Sequence, residues 1–150
     1  YKEQMAFVFR NFPLTTIHPN ARAAAAAVES AGINGKYWQM HNMVFENQKS
    51  WSDASANDRT DLFSQYAVNV GVAEKAFTDT LNNKSTQINR KIDFDRALGG
   101  KVGVNATPTF YLNGKKLEQS AYDSEEALEK TLLAAFKDAG ITVPAEQPKQ

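Results

Sequence analysis

Cysteine is absent from all 150 residues. By itself this polypeptide therefore carries out no thiolate, disulfide or cysteine-ligated metal chemistry, and thiol usage says nothing about its redox compartment. An excess of one charge is also missing, since seventeen Lys and Arg balance seventeen Asp and Glu. A nucleic-acid surface needs a basic excess or stripe, so nucleic acid is not expected as a partner. The longest apolar strings, 23–28 and 5–9, fall far short of the run of about eighteen that spans a bilayer, and no membrane span is expected. Histidine is scarce, at two. His18 precedes a proline at a helix start and His41 lies on an apolar helix face; neither has a second ligand at the +4 spacing of a helical metal site, so no metal is expected. No serine sits in a nucleophile elbow and no glycine loop matches a phosphate cradle, so no cofactor is implied. The sequence given starts at Tyr1, with no initiator methionine and no charged-then-apolar signal segment within it. That start reads as the cut end of something longer, with a trimmed intact protein as the alternative.

What is present suits one domain with a sizeable core, or one small domain carrying an insertion. Residues 5–12 form a continuous β-prone run, apolar on both faces at Phe7, Val8 and Phe9 and stopped by Pro13, as a strand covered on both sides would be. Residues 1–4 look like the tail of a preceding helix. From there to Gly103 the pattern is helical. Helix 21–31, with Asn20 or His18 near its cap, carries five consecutive alanines, which either permit close approach of neighbours or, the simpler reading, only make a stable helix. Helices are further predicted over 36–48, 58–69, 73–81 and 86–98, the last closed by Gly99-Gly100. Trp51 is expected in a loop. The aromatics Tyr37, Trp38, Phe45, Trp51, Phe63 and Tyr66 could line a groove, but at helical spacing they are better read as core. A last helix is predicted after an Asp123 cap, with Leu128, Leu132, Ala135, Phe136 and Ala139 inward and Gly140 as its stop.

The remaining stretch, 103–114, differs in kind. Pro108 cannot donate to a ladder from a central position, so it belongs at the start of a short strand, 109–112. Asn113-Gly114 then supplies the two positive-φ residues of a type I′ turn, with a return strand near Lys116 and Leu117. Arg10 breaks the end of the first apolar run. It either marks the arrival of that strand at solvent or tunes the pKa of a neighbouring active-site group.

Four blocks in order resemble the DsbA-like branch of the thioredoxin superfamily. They are Phe9-Arg10-Asn11-Phe12-Pro13-Leu14; His18-Pro19-Asn20-Ala21; Gly35 to His41 with Phe45-Glu46-Asn47-Gln48; and Gly103-Val104 with Thr107-Pro108-Thr109-Phe110 and Asn113-Gly114. The resemblance implies an α/β, thioredoxin-like fold over 1–143 with a large helical insertion at about 15–102, followed by a frayed tail at 144–150. It implies an exported thiol–disulfide oxidoreductase (periplasmic, cell-envelope or secreted) acting on protein or peptide thiols and disulfides without a cofactor. It further implies a cis Pro108, with Ala106, Thr107 and Pro108 forming a substrate-binding loop whose backbone pairs with substrate as an added strand. The departure is large: the family's first strand, its Cys-X-X-Cys and the start of its first helix have no counterpart here. In that fold the absent strand is central, so its neighbours are expected to pair with a missing N-terminal segment or with another copy. Two further functions stand beside this one, a non-catalytic peptide-binding or chaperone-like module and a glutathione-using transferase or isomerase.

Overall fold

The alanine-rich stretch decides how the larger part of the molecule is built. In the computed structural model, which describes Tyr1 and residues 3–143, the helices are α1 (Ala21–Ile33), α2 (Tyr37–Glu46), α3 (Gln48–Trp51), α4 (Ala56–Asn69), α5 (Glu74–Asn83), α6 (Ser85–Lys101) and α7 (Glu125–Asp138). A two-stranded hairpin, β1 (Tyr111–Leu112) and β2 (Lys115–Lys116), precedes α7. The chain divides into two compact units, one of Arg10–Asn105 and the other of Tyr1–Phe9 with the chain from Ala106 onward. The frayed tail expected over 144–150 lies outside the described residues.

In the helical unit α1 packs against α2, α4, α5 and α6. Ala24, Ala27, Val28 and Ala31 are buried, so the alanines serve close approach from several sides rather than helix propensity alone, contrary to the simpler expectation. Met40, Val44, Trp51, Phe63, Tyr66, Ala67, Val72 and Phe77 complete one contiguous core around them. Phe77 and Met40 are fully enclosed, and each such side chain contributes about 1.5–3 kcal/mol by leaving water. Trp51 belongs to this core rather than to a loop, since its indole N–H donates to the Val44 carbonyl at 2.8 Å. Trp38 and Phe45 point away from the core, at 44% and 54% exposure.

Asn20 occupies the cap position of α1, but its side chain makes no capping bond. Its Nδ2 donates instead to the carbonyls of Trp51, Ser52 and Ala54, and its Oδ1 accepts from Arg59. A buried amide thus shares its two protons among three carbonyls at the end of α3 and in the segment after it. Helix α6 does not stop at Gly99-Gly100 but runs to Lys101. A Cβ on Gly99 would lie 2.8 Å from the Phe12 ring and 3.6 Å from Val104. Gly99 therefore permits close packing inside the helix, and Gly103, at φ +84°, follows the helix end.

The smaller unit carries the hairpin, with Tyr111 opposite Lys116 and Leu112 opposite Lys115. The return strand, expected near Lys116 and Leu117, is Lys115–Lys116, and the Leu117 N–H continues across to the Phe110 carbonyl at 2.9 Å. Asn113 and Gly114 take φ of 49° and 80°, as the type I′ turn requires. Ser124, not Asp123, caps α7, accepting from the Ala127 N–H at 3.1 Å. Tyr1 packs its ring 5.3 Å from that of Phe136 and donates its hydroxyl to Glu129. The strand expected over 5–12 is not formed. Among the described residues the sheet has only two strands, and Phe7 and Val8 are 55% and 64% exposed. An apolar run becomes a strand only when a neighbouring strand completes its ladder, and none accompanies this one among the described residues.

Candidate functional site

The loop of Ala106, Thr107 and Pro108 lies on the surface of the smaller unit, all three residues exposed. The Thr107–Pro108 peptide bond is cis. Two hydroxyl groups reach the residues on either side of Thr107, one closely and one at longer range. The Thr109 hydroxyl donates back to the Ala106 carbonyl at 2.7 Å, and the Tyr122 hydroxyl donates to the Pro108 carbonyl at 3.4 Å. Thr107 itself, both N–H and C=O, is uncommitted among the described residues. An exposed residue that keeps its donor and its acceptor can exchange two hydrogen bonds with a single residue of an extended chain, the pairing unit of an antiparallel ladder.

Arg10 has a partner inside the helical unit. Its guanidinium donates to Asp95 on α6 at 3.0 Å, with the Arg10 side chain half exposed and that of Asp95 wholly enclosed. The Asn11 backbone N–H and Nδ2 reach the other Asp95 oxygen at 3.1 and 3.2 Å, and Lys91 donates there as well. Asn11 Nδ2 also donates to Glu29 on α1 at 2.6 Å. Burial pushes the Asp95 carboxyl up, but the hydrogen bonds from Lys91, Asn11 and Arg10 outweigh it and hold the group below its ordinary value. Tyr37 is displaced the other way: burial, then the negative charges of Glu29 and Asp95, raise its pKa. Among the described residues no cluster of His, Asp or Glu could hold a metal ion.

Ala106, Thr107 and Pro108 thus lie together on the surface of the smaller unit, while Arg10 anchors the first residues of the helical unit to α6. Asp95, Asn11, Thr109 and Tyr122 were not anticipated. One signal did point to Asp95: it falls three residues after Ile92 and seven after Ile88, on the stripe those residues bury.

Comparison with known proteins places this geometry in context. A family profile described as Thioredoxin matches residues 2–132. The Na(+)/H(+) antiporter NhaA 1 of Mycolicibacterium gilvum is 30% identical over 118 residues, covering 77% of this chain and 18% of that protein. NhaA 1 of Salinispora arenicola is 32% identical over 130 residues, covering 87% of this chain and 18% of that protein. NhaA 3 of Salinispora tropica is 32% identical over 135 residues, covering 90% and 19%. The chain therefore spans less than a fifth of the length of these curated relatives. No solved structure matches.

Proposed function

The chain belongs to the thioredoxin family, and from that premise we propose that it is the carboxy-terminal major part of an exported DsbA-like thiol–disulfide oxidoreductase. In this reading the Cys-X-X-Cys and the first strand come from a segment outside the sequence, the helical unit is an insertion in the thioredoxin domain, and the loop at Thr107 receives the substrate. The observation that carries it is the exposed Thr107 peptide, with donor and acceptor both uncommitted, between two residues whose carbonyls already accept hydroxyls. That is the arrangement a backbone-pairing docking edge needs. The chemistry would be supplied by the absent cysteines. One thiolate bonds to a substrate sulfur and expels the other as a thiolate, and the second cysteine then resolves the mixed disulfide. Two electrons pass between the dithiol and the substrate disulfide, in whichever direction the potentials dictate.

The antiporter name belongs to the whole of each relative, of which this chain matches a minor part. Among the described residues no helix is long and apolar enough to cross a membrane, and the reading gives this chain the docking role rather than ion exchange. A direct test is insulin reduction by dithiothreitol with this polypeptide added. The expected turnover is background, because the chain has no cysteine; acceleration above background would overturn the assignment of the chemistry to cysteines elsewhere. A second reading, a peptide-binding module without redox chemistry, draws on the same open peptide and the same absence of cysteine. The residues preceding Tyr1 in the parent gene discriminate: Cys-X-X-Cys supports the oxidoreductase, and its replacement supports the binder.

A further inference from the structure

A surface loop that exposes several consecutive carbonyls can pair with an extended chain in more than one register, because each unoccupied peptide group is an equivalent invitation. The loop at Ala106–Thr109 is arranged differently. Thr109 is half buried and turns its hydroxyl back onto the Ala106 carbonyl. Tyr122 reaches the Pro108 carbonyl from fourteen residues further along. The Tyr122 ring is itself fixed, packed 4.8 Å from that of Phe110 at a tilt of 53°. Its backbone N–H donates to Gln119 at 3.0 Å. The adjoining Ala121 carbonyl accepts from Thr131 on α7 at 3.1 Å. The contact from Tyr122 to the loop is thus backed by α7.

Building on the docking reading above, we propose that Thr109 and Tyr122 are positioning residues that hold the 106–109 loop with Thr107 as its presented peptide unit, so that an extended, unfolded polypeptide segment pairs there in one register. Their hydroxyls each bond to a carbonyl before or after the one that binds, which disfavours competing registers and holds the loop in place before the partner arrives. The ligand class is an extended peptide with a free backbone N–H at the pairing residue. Proline at that position cannot donate and should be rejected.

The test uses the full chain, with S-carbamidomethylated insulin B chain as the unfolded probe and three variants. Thr109→Val and Tyr122→Phe remove one hydroxyl each at nearly constant shape, and Thr109→Ser restores the donor. Thr109→Val and Tyr122→Phe should each weaken B-chain binding roughly five-fold, the loss of about one net hydrogen bond. They should also lower the 15N heteronuclear NOE of Thr107 and Thr109, with far-UV circular dichroism unchanged. Thr109→Ser should bind as the parent does, a rescue that general loss of packing would not produce. Wild-type affinity and wild-type NOE in both deletion variants would overturn the positioning role. Absence of B-chain binding by the parent chain would count against the docking reading. In that case the NOE comparison alone decides the positioning role: a fall upholds it and no change refutes it. If Thr109→Val does not fold, Tyr122→Phe carries the same comparison, because its ring stays packed on Phe110.

Discussion

Asp95 is one of the buried polar hubs of the helical unit. Its enclosed carboxylate gathers donors from Arg10, Asn11 and Lys91, so the first residues of the unit are bonded to its last helix. The pH consequence follows from the direction of its shift. An acid whose folded pKa lies below its ordinary 3.8 contributes stability that is present above that value and lost as pH falls through the folded one. Urea midpoints should therefore stay level from neutrality to about pH 5 and decline below about pH 4. Asp95→Asn should cost about 1–3 kcal/mol at neutral pH. That is less than a fully buried pair would lose, because Arg10 and Lys91 can turn to water. The same variant should flatten the acid decline, and an acid limb that persists in it would assign the limb to another carboxylate. Tyr37 works in the opposite sense: with its pKa raised above the ordinary 10.0, its contribution is intact below that value and falls as pH rises past it. Tyr37→Phe should remove that alkaline decline from the same titration of stability.

At the scale of the element, two adjacent glycines in α6 invite opposite outcomes. Gly99→Ala would place a methyl 2.8 Å from the Phe12 ring and should destabilise by about 1–3 kcal/mol through overpacking. Gly100 has nothing within 4 Å of its would-be Cβ, so Gly100→Ala should stabilise by about 0.5–1 kcal/mol through helix propensity alone. Thermal or urea unfolding of the two variants reads the contrast directly, and equal shifts would dismiss the packing role of Gly99. These glycines also mark the limit of what a sequence pattern reveals. Gly-Gly after a helical stripe reads as a stop, because the ring that demands the space lies 87 residues earlier in the chain. The hairpin was legible, since Asn113-Gly114 carries its own backbone requirement within two residues. The loop at Thr107 was reachable only through resemblance to a family, while Tyr122, which closes on it from fourteen residues away, left no local trace. The run over 5–12 announced apolar character correctly, but pairing is a property of two segments and was not written in one.

For the whole molecule, the distribution of the core matters most. The contiguous cluster runs from Ala24 to Phe77 and lies entirely within the helical unit. The smaller unit, by contrast, has Phe136 as its buried large hydrophobic side chain and a hairpin of two-residue strands. A lone two-stranded hairpin is marginal in water. A fragment of residues 10–105 should therefore keep its helical circular dichroism and unfold cooperatively, whereas a peptide of residues 106–143 should show little fixed structure. Loss of cooperativity in the fragment would mean that its core depends on the remainder of the chain.

The crowding at Gly99 has one more consequence. Phe12 and Val104 both lie against that glycine, so the polypeptide enters the helical unit and leaves it at neighbouring points on one helix. A segment with adjacent doorways can be spliced into a host, exchanged for a relative of different length, or replaced by a short turn, without prising apart the residues that flank it. Gly99 thus lets both ends of the unit rest against one point of α6, the absence of one methyl group leaving room for them.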